Sequence, residues 1–367
     1  MTASYPARLV TRSTFTPLLA LFLLGGGSAA CGGGDSDDGS GGTSGTSGSG
    51  GSSASGGSSG SGGGSGGSGG SAGSTAGSSG TSGNGEPSGE VCPNERRAGS
   101  LSLRMTGDRT IVDGSISDGI APTGVYREIS SAGSCQLLAP RDLFCATPCG
   151  SGTTCAGDDM CVPTPMKQSA GTITLTGLEA PLEVMANGIT GIYSDTILDP
   201  YPLFEAGAAI ELSAAGDVFE PFTLQGWGVP PLVTSLSTAN VVGGSAVPLT
   251  WETAGVNAEQ SEIFISFSVN VHGATTGWIE CTVPDTGSFD IPAALVSDLI
   301  DLGLSGFPRM TMTRRSADST DLSTGDCVDF EVGSQVTIEL TVDGLVSCNE
   351  DSECPEGQVC TPELSCE

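Results

Sequence analysis

The 367-residue sequence predicts a mainly β protein. It is expected to hold two antiparallel β-sandwich-like domains with disulfide-stapled Cys-rich modules, after a disordered linker. Three observations predict this. Apolar and polar residues alternate along several short segments, which is the pattern of half-buried strands. The chain has 13 cysteines, most of them in two closely spaced groups. A stretch of almost only Gly and Ser separates both features from the N-terminus.

The first 30 residues have the three parts of a secretory signal peptide. Arg8 and Arg12 supply a basic start, residues 17–24 form a short apolar run, and residues 28–30 are small residues before Cys31. The apolar run is much shorter than the roughly 20 residues that cross a bilayer. We therefore predict an exported protein that loses this segment.

The ending Ser28-Ala29-Ala30-Cys31 resembles the lipobox of bacterial lipoproteins. In that family the cysteine becomes the first mature residue and carries the lipid. The resemblance implies lipidation of Cys31, with the outer membrane as partner and the protein facing the periplasm or the cell surface. Without Cys31 twelve cysteines remain, an even number that suits full pairing in an oxidising compartment. The same small residues also suit an ordinary signal peptidase, which would release a secreted protein.

The predicted linker, together with the lipid-anchor cysteine, covers residues 31–91. Gly and Ser fill 26 and 19 of the 59 positions from Gly32 to Glu90. Such a composition buries too little apolar surface to offset its ordering entropy. A flexible chain of this length spans about 40–45 Å, from roughly 5–6 Å × √59. The glycines do not fit a phosphate-binding loop, because no strand precedes them and no lysine follows.

The two β-domains are predicted at 92–228 and 229–345, the first with a Cys-rich insertion at 142–166. The boundary is placed at the Gly- and Pro-rich segment 226–231, which interrupts any strand. Many short strands with turns between them favour antiparallel sandwiches. The alternating segments are 263–271, 336–342, Leu101–Met105, Ile173–Leu175, Ile210–Leu212, Val247–Trp251 and Met310–Met312.

One helix is predicted, from Pro292 to about Leu302, with Gly303 at its end. Its apolar residues form a stripe that suits packing on a sheet. The strand alternation and Trp251 give the second domain a resemblance to the immunoglobulin-like sandwiches of bacterial surface proteins.

Two four-cysteine groups stand apart, one in the insertion and one in a C-terminal module predicted at 346–367. The 19 residues from Cys348 to Cys366 are too few for a self-sufficient core, so covalent cross-links must hold them. Zinc is the competing interpretation. The five-residue spacing differs from the usual Cys-x2–4-Cys pair, and export favours disulfides. The module is similar to small extracellular Cys-rich repeats.

All cysteines after Cys31 are therefore predicted to form disulfides. They are Cys92, Cys135, Cys145, Cys149, Cys155, Cys161, Cys281, Cys327, Cys348, Cys354, Cys360 and Cys366. Within each module we predict first-to-third and second-to-fourth pairing, one of three arrangements. The remaining four are predicted to pair as Cys92 with Cys135 and Cys281 with Cys327, one bridge per β-domain.

The charge balance excludes some functions. With 42 acidic and 12 basic residues the formal charge is −30, which argues against nucleic acid as a partner. The single histidine, His272, belongs to the polar side of an alternating segment, where a solvated role outweighs that of a general base. The sequence has no Gly-x-Ser-x-Gly or His-Glu-x-x-His motif. We assign no catalytic residue.

Calcium is the one cofactor for which the sequence offers oxygen ligands in turns. The candidate turns are Asp113–Asp118, Gly157–Asp159 and Asn349–Asp351. None fits the twelve-residue loop with Gly at its sixth position and Glu at its twelfth. Asp and Asn also favour plain turns for backbone reasons, so we assign no metal ligand.

Two functions remain. The first is a non-catalytic surface lipoprotein of the cell envelope, whose β-domains bind an unknown surface protein or glycan or have a structural role. The alternative is a tethered secreted hydrolase with an unrecognised carboxylate site. A cleft holding two or more carboxylates would favour the hydrolase. An exposed apolar or aromatic patch would favour binding.

Overall fold

The computed structural model describes residues 86–255, 258–269 and 275–367. The predicted signal peptide, Cys31 and most of the predicted linker lie outside these residues, and so does His272. The described part is mainly β, with a large sheet, several smaller ones and six disulfides. The described helices are all too short or too polar to cross a membrane.

Between residues 86 and 230, the described part of this half of the chain, there are twelve strands. They are β1 (Arg97–Thr106), β2 (Arg109–Ser117), β3 (Tyr126–Ala132), β4 (Cys135–Pro140), β5 (Thr153–Cys155), β6 (Cys161–Pro163), β7 (Lys167–Gln168), β8 (Ile173–Thr176), β9 (Leu182–Val184), β10 (Ile192–Ile197), β11 (Ala209–Ala214) and β12 (Phe222–Trp227).

Seven further strands and the α-helix follow. They are β13 (Thr238–Val241), β14 (Val247–Thr250), β15 (Glu262–Ser268), β16 (Trp278–Pro284), β17 (Ser288–Ile291), α1 (Ala293–Asp301), β18 (Arg309–Asp321) and β19 (Cys327–Val342). Three short 3-10 helices lie at Pro122–Gly124, Ala258–Gln260 and Asp351–Glu353.

The large sheet has eleven strands. Its main order is β10-β2-β1-β19-β18-β15-β16-β4-β3, with β7 beside β2 and β13 beside β19. A four-stranded sheet has the order β12-β11-β8-β9, and β14–β17 and β5–β6 form separate pairs. Most pairs are antiparallel, as predicted, but β1 and β13 both pair with β19 in parallel.

Two hydrophobic cores lie against the large sheet. In the first, β1, β2, β10 and the start of β19 pack against the four-stranded sheet. In the second, the end of β19 with β18, β15, β16 and β4 packs against β14, β17 and α1. The 16-residue strand β19 serves both cores, since Phe330 is buried in the first and Ile338 in the second. The two cores are therefore joined by continuous backbone.

The predicted domain boundary at residue 228 does not separate the two cores, because each core contains residues from both sides of it. Strands β3 and β4 lie before that position, yet β4 pairs with β16 and places Leu137 in the second core. Conversely, Leu322 and Val328 come after residue 228 in sequence but belong to the first core. Alternation indicates which face of a strand is buried, but not which distant strand is its neighbour.

The predicted helix is present as α1, Ala293–Asp301. Pro292 precedes it with an extended backbone, and Leu295, Val296 and Leu299 are its buried residues. Gly303 follows the helix with a φ of +112°, a backbone region that glycine tolerates best. The apolar stripe therefore packs in the second core, as its spacing predicted.

Candidate functional site

The structure holds six disulfides, and they include all twelve cysteines of the described residues. Four lie within the two Cys-rich modules and follow the predicted first-to-third, second-to-fourth pattern. They are Cys145–Cys155, Cys149–Cys161, Cys348–Cys360 and Cys354–Cys366. Close spacing keeps these pairs within their modules, and the structure selects one of the three arrangements that four cysteines allow.

The predicted pairing of the other four cysteines is wrong. The structure joins Cys92 to Cys327 and Cys135 to Cys281. The parallel pairing of β1 with β19 brings the residues just before β1 to the start of β19. The antiparallel pairing of β4 with β16 places Cys135 directly opposite Cys281. The prediction assumed that each domain is continuous in sequence. In the structure, strands from both predicted domains lie in one large sheet, so the assumption is wrong.

Clusters of cysteine sulfurs with the spacing of metal ligands occur in both modules. They are Cys145, Cys149 and Cys161 in the insertion, and Cys348, Cys354 and Cys360 in the C-terminal module. Each of these sulfurs is bonded in a disulfide in this structure. A disulfide sulfur is not the thiolate that zinc requires.

The predicted turn at Asp113–Asp118 is wrong, because residues 113–117 belong to strand β2, where the alternating pattern continues. The carboxylates of all three candidate calcium segments accept hydrogen bonds from nearby groups. Asp113 accepts from Ser102 and Arg104 at 2.8 and 2.9 Å. Asp159 accepts from the Ala146 amide at 2.5 Å, and Asp351 from the Cys360 amide at 2.9 Å. These bonds fix loops and strands, which is the ordinary role of Asp in turns.

The most distinctive surface feature is an apolar groove, here called the insertion groove. It lies between the Cys-rich insertion and the chain that links β2 to β3, and its volume is about 480 Å³. Its lining residues are Glu95, Asp118, Gly119, Ile120, Pro122, Val125, Arg141, Ala156, Met160, Val162, Pro163 and Pro165. Most of these side chains are apolar, and its size lies within the roughly 300–1,000 Å³ of typical ligand sites.

Disulfides rather than burial hold the insertion side of this groove. Strands β5 and β6 have only three residues each and contain no buried residue. The turn between them is closed by hydrogen bonds between Ala156 and Met160 and between Met160 and Gly157, at 2.8 and 2.9 Å. The Cys145–Cys155 and Cys149–Cys161 bonds fix both strands to the preceding loop. The groove wall is thus cross-linked without needing a core.

Large apolar side chains of the same insertion are exposed to solvent. Phe144, Met160 and Met166 are 88%, 57% and 60% exposed. Met160 lines the groove, and the Met166 amide donates a 2.8 Å bond to the carboxylate of the lining residue Asp118. Exposed aromatic and Met side chains are enriched at protein interfaces. This surface was not predicted from the sequence, although apolar residues in a segment too small to bury them were a signal for it.

A second, polar cleft surrounds Arg315 and is here called the Arg315 cleft. Its volume is about 580 Å³. It is lined by residues 86–89, 259–262 and 315–317 together with Trp227. Glu86, Glu259 and Glu262 bring three carboxylates to it, and a cleft with two or more carboxylates favours the hydrolase alternative.

Arg315 engages one of those carboxylates and a further glutamate nearby. Its Nε lies 2.9 Å from Glu262 Oε1, and its Nη1 lies 3.1 Å from Glu331 Oε2. The guanidinium carbon also lies 4.2 Å from the centre of the Phe264 ring, a cation–π contact. Glu262 is thus occupied as an ion-pair partner, so an acid and base pair in this cleft would have to use Glu86 and Glu259.

A buried carboxylate lies where the predicted linker enters the fold. Asp329 accepts a hydrogen bond from the Cys92 amide at 2.6 Å and forms an ion pair with Arg97 at 2.7 Å. Burial raises the pKa of Asp329 above its ordinary value, although Cys92 and Arg97 favour its charged form. Arg97 also donates to the Cys92 carbonyl at 2.7 Å. The cluster fixes the chain entry point next to the Cys92–Cys327 bond.

Comparison with known proteins identifies no family for the chain. No family model matches it, and no curated protein does. Among solved structures, one match is the crystal structure of the chicken CNTN1 FN1-FN3 domains, at 11% identity. It covers 64% of this chain and 69% of that chain, with a TM-score of 0.16. Functional inference therefore has to come from the residues of this chain.

Proposed function

We propose that the protein is a lipid-anchored, non-catalytic binding protein of the cell envelope. It holds a cross-linked β fold at the end of a Gly/Ser-rich tether. The observation that carries this proposal is cysteine pairing. Of 13 cysteines, the described fold uses twelve in six disulfides, and the one remaining in the sequence is Cys31. Cys31 follows the small-residue ending of the signal peptide, where a lipid is attached in bacterial lipoproteins.

The connection of the tether to the fold supports the proposal. The Gly89 amide donates to the Ala317 carbonyl at 3.1 Å, and the Ser88 amide donates to Asp318 Oδ1 at 3.0 Å. Three residues later, Cys92 is bonded to Cys327 at the start of β19. The tether is therefore attached to the two strands, β18 and β19, that run through the large sheet. An anchor connected there is joined to β19, the strand that serves both cores.

Six disulfides support export to an oxidising compartment. The long Gly/Ser segment supports presentation at a distance of about 40–45 Å from an anchored Cys31. The exposed apolar side chains of the insertion support binding, because they lie on a small segment beside an apolar groove, and larger exposed apolar patches mark interaction sites.

The hydrolase alternative is favoured by one observation, the carboxylates of the Arg315 cleft. If the protein were a hydrolase of this kind, Glu259→Gln would abolish turnover of chromogenic glycosides or peptides by the exported wild type. The matched control is Glu220→Gln, a change in an exposed glutamate outside the cleft lining. We expect no turnover that depends on Glu259, and turnover lost in that variant alone would contradict the non-catalytic role.

Anchoring is tested by detergent partitioning of the exported protein. We expect the wild type to enter the detergent phase and Cys31→Ser to remain in the aqueous phase. Ser36→Ala, a change five residues further on, is the matched control and should behave as the wild type. Protease added to intact cells would then show whether the fold faces outward. Equal partitioning of the wild type and Cys31→Ser would contradict lipid anchoring.

A further inference from the structure

We infer that the insertion groove is a docking site for a partner polypeptide whose docking segment is apolar and flanked by basic residues. This inference rests on the proposed function, because it names the site and the partner class of a tethered binding protein. Met160 lines the groove, and Phe144 and Met166 are further exposed apolar side chains of the same insertion, residues 142–166.

The chemistry of the lining favours a polypeptide over a sugar. Ile120, Val125 and Val162 offer aliphatic surface, and Pro122, Pro163 and Pro165 add ring faces without backbone N–H donors. Sugars need several hydroxyl partners, whereas apolar side chains need only a dry, shaped surface. The disulfides fix this surface in advance, which lowers the ordering cost of binding.

The rim of the groove carries mostly negative charge. Glu95 and Asp118 belong to the lining. In sequence, Asp142, Asp158 and Asp159 lie next to or near lining residues on the acidic side of the count, and Arg96, next to Glu95, and Lys167, next to Met166, lie there on the basic side. Arg141 is the one basic residue among the lining residues. The insertion itself, residues 142–166, contains no Lys or Arg. A docking segment with basic residues on its flanks therefore matches the rim, and its attraction should weaken with salt.

The other occupants fit less well. The chain between Cys31 and the described residues contains only Gly, Ser, Thr, Ala, Asp and Asn up to residue 85, so it has no large apolar side chain to fill the groove. A second copy of this chain carries the same charge of −30 and would be repelled. An anionic lipid surface would be repelled for the same reason.

The test uses the exported full chain carrying Cys31→Ser, so that lipid plays no part. The probe is a fluorescent peptide of alternating Lys and Leu, and its binding is followed by anisotropy. The double variant Phe144→Ser, Met160→Ser removes two exposed apolar groups, and we expect it to weaken binding at least tenfold. The matched control is Met185→Ser, Ile189→Ser, which removes two exposed apolar groups outside the groove lining (74% and 97% exposed) and should leave binding unchanged.

Two further peptides separate apolar contact from charge. A Lys/Ser peptide keeps the charge and a Glu/Leu peptide keeps the apolar residues, and neither should bind with comparable affinity. Equal binding of the Lys/Leu peptide to the groove variant and the wild type, or no binding at all, would overturn the inference. So would groove-dependent dimers in sedimentation, or groove-dependent binding to phosphatidylglycerol vesicles. Any of these results would leave the anchoring test unaffected, so failure of the groove and failure of the proposed function are distinguishable.

Discussion

Cys92 and Cys327 are 235 residues apart in sequence, yet a disulfide joins them with their Cα atoms 6.0 Å apart. The bond connects the end of the predicted linker to the first residue of β19, the strand shared by both cores. Almost the whole fold is therefore enclosed in one covalent loop. This relationship makes the entry of the tether a structural element of the fold.

Removal of this bond should destabilise the whole fold. For the double variant Cys92→Ser, Cys327→Ser we expect the free energy of unfolding to fall by about 2–4 kcal/mol, because the unfolded chain regains the freedom of a long loop. Urea unfolding followed by tryptophan fluorescence measures the change. The control, Cys348→Ser with Cys360→Ser, opens a local loop of 12 residues separation and should leave the main transition in place. An equal loss of unfolding free energy in both double variants would contradict this account.

Mild reduction should release the C-terminal module before the rest of the fold. Cys348 is buried and Ser347 donates to the Gly306 carbonyl, but Val359 is 57% exposed. With so little apolar burial the module depends on its two disulfides. A glutamate-specific protease, added with increasing reductant, should therefore cut first at Glu350, Glu353 or Glu356. Earlier cleavage within the large sheet would count against this order.

Asp329 should make stability depend on pH in a defined direction. Because its pKa is raised in the folded state, the fold binds this proton more tightly than the unfolded chain does. At a pH above the raised pKa, Asp329 is charged and its burial lowers the stability of the fold. This cost disappears as the pH falls from the raised pKa towards the ordinary pKa of an aspartate. The unfolding free energy of the wild type minus that of Asp329→Asn should therefore rise as the pH falls towards about 4, the ordinary pKa of an aspartate.

The control for the Asp329 experiment is Asp321→Asn, since Asp321 also contacts an arginine but is exposed. Subtracting the unfolding free energy of each variant from that of the wild type removes the contribution of the other carboxylates. A difference that is flat, or that falls as pH decreases, would show that burial does not dominate at Asp329.

The buried ion pair of Arg314 and Asp285 should be sensitive to loss of one partner. Their side chains are 1% and 0% exposed, and Nε lies 2.7 Å from Oδ2. Arg314 also donates to the Pro231 carbonyl at 2.9 Å, and Trp251 donates to Asp285 at 2.7 Å. Asp285→Ala leaves a buried guanidinium without its counter-ion, so we expect a loss of about 3–5 kcal/mol in urea unfolding.

Replacement of both partners of this pair should cost less than replacement of one. Adding Arg314→Met to Asp285→Ala removes the stranded charge and should recover part of the lost stability. Arg309→Met, at an exposed position of the same strand, is the matched control and should change little. A double variant no more stable than Asp285→Ala would refute the charge-burial explanation.

Features that depend on local spacing could be predicted from the sequence. The strand β15, the second half of β19 and the helix α1 follow from apolar periodicity alone. That the cysteines of each Cys-rich module pair with one another follows from their being a few residues apart, although three arrangements satisfy that spacing. These elements need no knowledge of the distant chain.

Features that depend on long-range strand pairing could not be predicted from the sequence. The partner of β1 is β19, and the partner of β4 is β16, and neither choice is visible in an alternating pattern. Both wrong disulfide pairs and the displaced boundary between the cores result from this. Asp329 was also missed, because its place on a polar strand face gave no sign that the chain before β1 covers it.

The most direct test of the central claim is the mass of the N-terminal fragment of the exported protein, released by a protease that cuts after the tether. We expect a fragment that begins at Cys31 and is heavier than its sequence by covalently attached acyl chains, with no free thiol among the other twelve cysteines under alkylation. A fragment that begins at Cys31 or later with its unmodified mass would contradict the account of a lipid-anchored protein.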